Sequence, residues 1–529
     1  MAPTTEPVII GVADIVNRTS KAIEPLDLIS NAIAAALADT GLSKAALTKL
    51  KEQVDDLTII RSWTWPYDSL PDLVADRVGI ANAGERRESE HGGNQPVKCL
   101  DEACRKIMKG ERKVAVLGGG EALGSLSAAA KNGSLKSLNW TPTTTSINEV
   151  FSPTTRSLGD NIGARHGIGA PIQVYPLYEN GFRAHRKQTI KGNHEESAEL
   201  YSEFAEVARA NQYAWNYHKA VSKDEIMTIG KENRMIASPY PLLMNAFNNV
   251  NLAAAVVVAS TDTARELGVP KEKWIYIRGA AGTSESAEFW NRSSFHHAPA
   301  ISRSLDAALS ASGLSETEID LHDFYSCFPI VPKLACQHLG LLFSNKPKPI
   351  TLLGGLTSFG GAGNNYSMHK DADSTKALTE MTRQLRKSPM GRRKNGLVLA
   401  NGGVLTYQHV TILSSHPRDD GRSYPNEAVL PDLLDLQAPE VEDKADGEAV
   451  IETYTVDFDR KGGLSRGHVV GRLVGNGRRF LANHGDERTL KELVSWDVEP
   501  IGRRGMVRYD NASKKNLFVL GEGKGGSKL

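Results

Sequence analysis

The chain has 529 residues, which predicts about three domains at roughly 100 to 200 residues per domain. Hydrophobic residues make up 40% and charged residues 24%, and the 48 Gly and 24 Pro fall short of a low-complexity composition. Collagen-like, wholly disordered and disulfide-dense proteins are therefore excluded. Lys and Arg (63) balance Asp and Glu (62), so no global field attracts nucleic acid or an anionic membrane, and neither is expected as a partner.

The cysteines indicate neither a structural metal nor a disulfide framework, because they lack C-x-x-C spacing and clustered histidines. They are Cys99, Cys104, Cys327 and Cys336. The first residues lack the pattern of a secretory signal, and no run reaches about 18 apolar residues. We therefore expect a soluble intracellular protein without a membrane span or bound metal.

The last three residues have the form of a peroxisomal address. They are Ser527, Lys528 and Leu529, and they follow a Gly-rich stretch at 523–526 that would leave them accessible. We expect a peroxisomal protein that an import receptor recognises through this tripeptide.

A strand followed by a helix opens the chain, and the same order recurs. Residues 7–13 have the β-branched content of a buried strand, and residues 26–41 have helical apolar spacing that ends at Gly41. Further elements are predicted as a strand at 57–63, helices at 70–80 and 98–110, and a strand at 113–122. This alternation predicts α/β layers with largely parallel strands.

The pattern loosens between residue 131 and about residue 235, where Pro, Thr and Asn clusters surround a polar helix candidate at 194–215. We interpret this segment as a lid inserted into the α/β body. A second round of elements is predicted at 251–260 (strand), 302–313 (helix), 318–325 (strand), 330–339 (helix), 354–363 (Gly-rich loop), 374–385 (helix) and 396–403 (strand). Two similar halves in tandem are therefore expected, without a strict sequence repeat.

The last part of the chain has a different texture. A Pro-, Asp- and Glu-rich segment is typical of a linker, and short strands follow it, with one helix near 487–495. The strands are predicted at 450–458, 467–474, 478–484, 502–510 and 516–520. They indicate a small, mostly antiparallel β-barrel of the oligonucleotide/oligosaccharide-binding (OB) type. The predicted domains are a first half with the lid (1–275), a second half (276–415), the linker (416–447), the barrel (448–520) and a tail (521–529).

A Gly-rich segment, Gly92 to Pro96, precedes the helix predicted at 98–110. Asn94 can cap that helix, and Pro96 suits its first turn. Backbone N–H groups at a helix start favour negative charge, so a thioester oxygen or a phosphate could dock there. An ordinary Gly-rich turn explains the same residues.

Two further segments carry groups suited to binding or catalysis. Residues 354–365 combine glycines and other small residues with two amides, which suits either a binding loop or a structural turn. They do not form a phosphate-binding Walker loop, because no Gly-Lys-Ser/Thr follows. Residues 322–329 end a strand with titratable and nucleophilic groups, where α/β sheets bind ligands. Cys327 by itself is more typical of a small buried residue.

Taken in order, four segments resemble the signature of thiolases. They read IMKGERKVAVLGGGEA (107–122), HDFYSCF (322–328), GGLTSFGGAG (354–363) and ANGG (400–403). The chain is most similar to the sterol-carrier-protein-X type, and within it to the thiolase-like protein type 1 group, which adds a small C-terminal β-domain. The resemblance implies a five-layered αβαβα thiolase fold, a homodimer, and acyl-CoA as substrate or ligand, with no other cofactor bound.

The chain departs from the thiolase pattern at each catalytic position. Gly93 stands where the resemblance places the nucleophilic Cys, Gly361 where it places the basic His, and Ala400 where it places the second Cys. Tyr325 and Ser326 stand in the oxyanion-hole block, with His322 and its neighbour Asp323 as a rival register. A thiolase needs an activated thiolate and acid/base groups, so classical thiolase chemistry is not expected.

The remaining candidates define a predicted site. Catalytic candidates are Tyr325, Ser326, Cys327 and Asn94, and substrate-binding candidates are Gly92, Gly93, Gly360, Gly361, Asn364, His369, Asn401, Gly402 and His322. Tyr325, Asn364 and Asn401 are possible hydrogen-bond donors to an oxyanion. Three hypotheses follow: an acyltransferase that transfers the acyl group directly, a non-catalytic acyl-CoA or lipid-binding protein, and a subunit that depends on a partner enzyme.

Overall fold

The computed structural model describes residues 5–80, 83–147, 150, 158–344, 348–368, 378–389 and 392–521. The strands are β1 (Pro7–Val16), β2 (Val54–Ile60), β3 (Glu85–Glu88), β4 (Val114–Ala122), β5 (Met235–Ala237), β6 (Tyr240–Pro241), β7 (Asn251–Ser260), β8 (Ile275–Ser284), β9 (Leu321–Phe324), β10 (Asn395–Gly402), β11 (Tyr407–Ser414), β12 (Gly447–Phe458), β13 (Leu464–Leu473), β14 (Arg479–His484), β15 (Arg504–Asp510) and β16 (Lys515–Leu520).

The helices are α1 (Pro25–Asp39), α2 (Lys44–Gln53), α3 (Leu70–Val78), α4 (Gln95–Met108), α5 (Leu123–Lys131), α6 (Ile162–His166), α7 (Pro171–His185), α8 (Ile190–Arg209), α9 (Lys223–Met227), α10 (Thr261–Glu266), α11 (Pro299–Ser312), α12 (Ile330–Leu339), α13 (Leu378–Arg386) and α14 (Glu487–Glu492). None of these helices is long and apolar enough to cross a membrane. Among the described residues, no group of three or more His, Cys, Asp or Glu could hold a metal ion.

Nine strands form one mixed sheet in the order β3-β2-β4-β7-β1-β8-β11-β10-β9. The pairs β2–β3, β2–β4 and β9–β10 are parallel, whereas the pairs along β4-β7-β1-β8-β11-β10 are antiparallel. The expectation of largely parallel strands is therefore wrong. β7 and β11 each run against both of their neighbours, a reversal that no local residue pattern signals.

The two predicted halves are visible in the strand order. If the edge strand β3 is set aside, the first half has the order β1-β7-β4-β2 and the second has β8-β11-β10-β9. In both halves, the strands lie side by side in the order first, fourth, third and second along the chain. The same neighbouring pairs are parallel or antiparallel in the two halves. The halves meet where β1 pairs with β8 through Val8 with Tyr276 and Ile9 with Ile275.

The two halves of the sheet form two β layers, and the helices add three α layers, which makes five layers in total. α1 packs on β1, β4 and β7 of the first half, and α11 packs on β8 and β11 of the second. α4 and α13 contact strands of both halves and form the middle layer. The αβαβα architecture expected from the sequence is confirmed, and it places the start of α4 between the two halves.

The C-terminal strands close into a small barrel in the order β13-β14-β16-β15-β12, with β12 paired back to β13. Only the β14–β16 pair is parallel. A separate apolar core fills the barrel and includes Tyr454, Phe480 and Phe518. The predicted OB-like module is thus present, and its strand β12 also pairs with β5 through Asp457 and Ala237.

Two buried arginines hold the barrel against the rest of the chain. Arg183 of α7 donates to Tyr454 Oη at 3.0 Å and pairs with Glu499. Arg479 of β14 donates to the Trp290 carbonyl at 2.8 Å and pairs with Glu452 at 2.6 Å. Because the guanidinium groups are buried, these bonds fix the barrel against α7 and the segment after β8.

The sequence predicts the inserted segment between residue 131 and about residue 235; residues 158–248 are called the lid below. A buried cluster around Lys333 of α12 fixes this segment. Lys333 Nζ lies 2.7 Å from Glu179 Oε1 and donates to Asn193 and Ser197 of α8 at 3.0 and 2.8 Å. Tyr240 Oη donates to the other oxygen of Glu179 at 2.5 Å. Lys333 Nζ also lies 3.0 Å from Glu196 Oε1. The side chains of Lys333 and Glu179 are both 0% exposed, so the Glu179 charge depends on Lys333 for its compensation.

We expect Lys333→Met to lower the free energy of unfolding by about 3–5 kcal/mol, because it leaves the buried carboxylate of Glu179 uncompensated. Lys223→Met is the matched control, since Lys223 pairs with Glu199 at 2.7 Å but is 41% exposed, and it should cost less than about 1 kcal/mol. Chemical denaturation of both variants measures the difference. Equal losses of unfolding free energy in the two variants would contradict the stabilising role assigned to the Lys333 cluster.

Candidate functional site

A cavity of about 280 Å³ opens where the start of α4 meets the lid and the turn after β10. Its lining combines glycines, aromatic rings and amides. The lining residues are Trp63, His91, Gly92, Gly93, Pro171, Ile172, Tyr175, Asn245, Ala246, Asn248, Tyr325, Cys327, Phe328, Leu356, Gly363, Asn364, Asn401, Gly402, Gly403 and Tyr407. The cavity therefore lies between the two halves, below the lid.

The structure brings most of the predicted site residues together in this lining, although they come from distant parts of the chain. They are Gly92, Gly93, Tyr325, Cys327, Asn364, Asn401 and Gly402. Gly92 and Gly93 precede α4, Tyr325 and Cys327 follow β9, and Asn401 and Gly402 end β10. The layered fold explains this convergence, because the ends of these strands and of α4 meet at one level.

The other predicted residues lie elsewhere. Gly360 and Gly361 stand behind the cavity wall, where Gly361 faces Leu356 and Asn248. Ser326 is fully buried, and His322 is buried in β9 with Nε2 3.5 Å from Glu316. His369 lies outside the described residues. Within the rival register, the structure brings Tyr325 and not His322 to the cavity.

Asn94 stands at the N-cap of α4, but its side chain makes no capping hydrogen bond, so the expectation of a cap is wrong. Its backbone has φ −79° and ψ −15°, which is already helical, whereas a capping side chain needs an extended backbone. Pro96 lies in the first turn, as predicted. Asn94 lines an adjoining surface cleft, which shares Tyr407 with the cavity.

Position 93 has no room for a side chain. A Cβ atom on Gly93 would lie 2.6 Å from Tyr325 Oη and would also collide with the carbonyl oxygen of Asn401. The hydroxyl of Tyr325 therefore occupies the space that a side chain at 93 would fill. Burial raises the pKa of Tyr325 well above its ordinary value, so the hydroxyl keeps its proton and can donate a hydrogen bond.

Position 361 is filled in a similar way. A Cβ atom on Gly361 would collide with Asn248 Oδ1, and the amide of Asn248 comes from the lid. The neighbouring lid residue Asn245 donates from its side chain to the Pro241 carbonyl at 2.7 Å, which stiffens this part of the lid. Two positions that look empty in the sequence are thus occupied by side chains from other segments.

Cys327 is a protonated thiol in this setting. Burial raises the pKa of Cys327 to about 12, and Asn401 Nδ2 donates toward its sulfur at 3.8 Å. The same amide group donates to Tyr175 Oη at 2.8 Å, and Asn401 Oδ1 accepts from Gln408 at 2.7 Å. Both ends of the Asn401 amide are therefore engaged within the protein, and Cys327 lacks the thiolate that a covalent mechanism needs.

The sequence analysis missed His91, which lines the cavity one residue before Gly92. The Gly92 N–H donates to Asn364 Oδ1 at 2.9 Å, so the Asn364 amide nitrogen faces the Arg61 carbonyl at 2.9 Å and His91 Nδ1 at 3.2 Å. Since that nitrogen is a donor, Nδ1 accepts and the neutral ring carries its proton on Nε2. The position of His91 beside a Gly-Gly pair is the signal that could have identified it.

A buried carboxyl group, Glu121 of β4, lies directly behind Gly363 of the cavity wall. Burial raises the pKa of Glu121 to about 7. Its oxygens accept from Thr64 Oγ1 at 2.6 Å, from the Trp63 N–H at 2.8 Å and from Ser62 Oγ at 3.0 Å. These bonds direct Glu121 toward the segment 62–64, so it supports the wall that Trp63 belongs to.

We expect Gly93→Ala to lower the unfolding free energy by about 1–3 kcal/mol, because the methyl group has to displace Tyr325 or the Asn401 backbone. Gly230→Ala is the matched control, since a Cβ there meets no atom within 4 Å, and it should be neutral. Thermal and denaturant unfolding of the two variants test this. A Gly93→Ala protein as stable as the wild type would contradict the described packing.

Two family models match parts of the chain. One, for the additional C-terminal domain of thiolase-like protein type 1, covers residues 429–512. The other, for a thiolase C-terminal domain-like unit, covers residues 281–415. No curated protein matches the chain.

Solved structures match over much more of the chain. A monomeric SCP2-thiolase-like protein type 1 from Mycobacterium smegmatis is 30% identical, with a TM-score of 0.77, over 98% of this chain and 99% of that one. Human mitochondrial 3-ketoacyl-CoA thiolase in complex with CoA is 16% identical, with a TM-score of 0.51, over 78% of this chain and 98% of that one.

A structure described as the Ltp2–ChsH2(DUF35) aldolase is 18% identical, with a TM-score of 0.56, over 77% of this chain and 97% of that one. At these lower identities the human and aldolase structures support the fold alone. The M. smegmatis protein matches at higher identity over nearly the whole of both chains. The chain belongs to the SCP2-thiolase-like protein type 1 family, with its additional C-terminal domain.

Proposed function

We propose that the protein binds the thioester end of an acyl-CoA in the cavity beside Tyr325 and transfers the acyl group directly to an acceptor. The ligand class is supported by the human thiolase structure, which contains CoA, and by a structure of acetyl-CoA acetyltransferase from Syntrophomonas wolfei, 13% identical with a TM-score of 0.51. A small cavity with amides and hydroxyls suits the polar, uncharged thioester group.

The position of the Tyr325 hydroxyl carries this proposal. It fills the space beside Gly93 where a covalent nucleophile would need to lie. Cys327 does not replace that nucleophile, because burial raises its pKa to about 12 and only the thiolate attacks a thioester. An acyl-cysteine intermediate is therefore not part of the proposed reaction.

In the proposed reaction the Tyr325 hydroxyl donates a hydrogen bond to the thioester carbonyl oxygen. The acceptor attacks the carbonyl carbon, and negative charge develops on the oxygen that Tyr325 faces. The carbonyl then re-forms as the carbon–sulfur bond breaks, and the proton lost by the acceptor ends on the CoA sulfur. The positive end of the α4 dipole, at Gly93 and Asn94, stabilises the same developing charge.

With hydroxylamine added as the acyl acceptor, we expect Tyr325→Phe to reduce CoA release from acetyl-CoA by about 10²–10³-fold, the usual effect of removing one oxyanion donor. Tyr509→Phe is the control, since Tyr509 lies in strand β15 of the barrel and outside the cavity lining, and it should leave the rate within about twofold. Free CoA is followed with a thiol reagent, and intact-mass spectrometry of the wild type should show no acyl adduct.

An adduct on Cys327 would refute direct transfer. Saturable binding of acetyl-CoA without CoA release in the wild type would instead establish the non-catalytic alternative.

A second candidate is carbon–carbon bond cleavage of the aldol type. The observation in its favour is the likeness to the Ltp2–ChsH2(DUF35) aldolase, combined with a cavity that offers a hydroxyl donor and no thiolate. Cleavage of a 3-hydroxyacyl-CoA needs an enolate to be stabilised at the thioester oxygen, and it needs no covalent nucleophile. Tyr325 would serve that oxygen in the same way as in acyl transfer.

This candidate predicts that 3-hydroxybutyryl-CoA is converted to acetyl-CoA and acetaldehyde, with the hydroxyl proton transferred overall to the shortened acyl group. Liquid chromatography of the CoA esters and trapping of the aldehyde measure both products. Release of free CoA without acetaldehyde would exclude cleavage and favour acyl transfer.

Assembly and location stay predictions. A homodimer was inferred from the thiolase resemblance, whereas the matching M. smegmatis protein is described as monomeric. The edge strand β3 carries Glu85, Arg86, Arg87 and Glu88, and charged edges disfavour pairing with a second sheet. The tripeptide Ser527, Lys528 and Leu529 lies outside the described residues, so peroxisomal import rests on the sequence alone.

A further inference from the structure

We infer that the cavity selects CoA thioesters of short acyl groups, and that Leu356 together with a packed aromatic floor sets the limit. This inference rests on the proposed function and adds to it the substrate class. It follows from the volume of the cavity, from the packing behind its floor and from the place of Leu356 in its wall.

The volume leaves little space beyond the thioester itself. The cavity holds about 280 Å³, below the roughly 300–1,000 Å³ typical of pockets for drug-sized ligands. The end of the pantetheine arm and the thioester take up part of it, which leaves space for a short acyl group.

Three aromatic rings, those of Tyr175, Tyr325 and Phe328, form the floor of the cavity and pack on further buried rings behind them. Phe328 stacks on Tyr175 at a centroid distance of 4.6 Å and on Tyr240 at 5.3 Å. Tyr325 meets Tyr366 edge to face at 5.2 Å. All five rings are buried, and close-packed interiors yield only at a cost in free energy, so a longer chain cannot push the floor aside.

Hydrogen bonds also hold Tyr175 in place. Its hydroxyl donates to the Gly403 carbonyl at 3.2 Å and accepts from Asn401 Nδ2 at 2.8 Å. The Asn401 amide is in turn fixed by Gln408. The floor therefore cannot open by rotation of the Tyr175 ring without breaking this network.

Leu356 is the wall residue whose size can be changed without touching these hydrogen bonds. Its side chain lines the cavity, is 3% exposed and packs toward Gly361. Its carbonyl accepts from the Phe247 N–H at 3.1 Å, a backbone contact that a substitution leaves intact. Removal of the Leu356 isopropyl group should enlarge the cavity toward Gly361, and a larger ring should shrink it.

The experiment measures binding of acetyl-, butyryl- and octanoyl-CoA by isothermal titration calorimetry to the wild type, Leu356→Ala, Leu356→Phe and the control Leu334→Ala. Leu334 is a buried α12 residue, 5% exposed, outside the cavity lining. The wild type should bind octanoyl-CoA at least about tenfold more weakly than acetyl-CoA. Leu356→Ala should reduce the ratio of the octanoyl-CoA dissociation constant to the acetyl-CoA dissociation constant by about tenfold. Leu334→Ala should leave this ratio unchanged.

The filling variant gives an independent readout. Leu356→Phe should weaken binding of butyryl-CoA by about tenfold more than binding of acetyl-CoA, so the inference stays testable even where the Ala variant folds poorly. Octanoyl-CoA bound as tightly as acetyl-CoA by the wild type, or equal ratios in Leu356→Ala and Leu334→Ala, would overturn the size limit. Absence of binding for every thioester would instead overturn the proposed function.

Discussion

The contact of Asp101 with His409 and Tyr424 fixes the helix on which the rest of the site depends. His409 Nε2 lies 2.9 Å from Asp101 Oδ2, and Tyr424 Oη donates to Asp101 Oδ1 at 2.7 Å. Although burial opposes the charge, the bond with His409 lowers the pKa of Asp101 below its usual value. These bonds connect α4 to β11 and to the segment after β11. They therefore fix where the N-terminus of α4 lies relative to the strands.

The depth of α4 in turn explains the glycines at its start. The Gly93 amide lies so close to Gly402 of β10 that a Cβ on Gly402 would come within 3.0 Å of it. Gly92 has a φ of 152° and Gly402 faces Asn94 Oδ1, so neither position tolerates a larger residue. A catalytic side chain at position 93 is therefore excluded by packing, and the chemistry has to come from residues that approach from other elements.

Tyr325 and Asn248 are those residues, and they change the meaning of the departures from the thiolase pattern. In the sequence, Gly93 and Gly361 look like the loss of a nucleophilic Cys and of a basic His. In the structure, each loss is matched by a side chain that fills the space, which is what close-packed interiors require. The cavity thus contains the protonated hydroxyl of Tyr325 and amide groups that are hydrogen-bonded within the protein. These groups suit a thioester that binds without forming a covalent bond to the protein.

The barrel contributes to the same rigidity. Arg183 and Arg479 bury their guanidinium groups against Tyr454, Glu452 and backbone carbonyls, so the barrel is an integral part of the wall behind the lid.

The sequence alone determined most of the elements and the family. Buried runs such as residues 251–260 and the helix at 330–339 coincide with β7 and α12, because apolar periodicity and flanking glycines are local signals. It also identified Gly92, Gly93, Tyr325, Cys327, Asn364, Asn401 and Gly402, which do line one cavity. The antiparallel course of β7 and β11 was not predictable, because strand direction depends on long-range pairing.

Only the tertiary structure decided what these residues do. Tyr325 is 232 positions from Gly93 in the chain, and its place beside that glycine depends on the stacking of layers from both halves. The role of Asn248, the tautomer of His91 and the engagement of Asn401 likewise depend on partners that are remote in sequence. The sequence specifies which side chains are present. The distances between them that form a site arise only when α4, the lid and the strand ends come together in the fold.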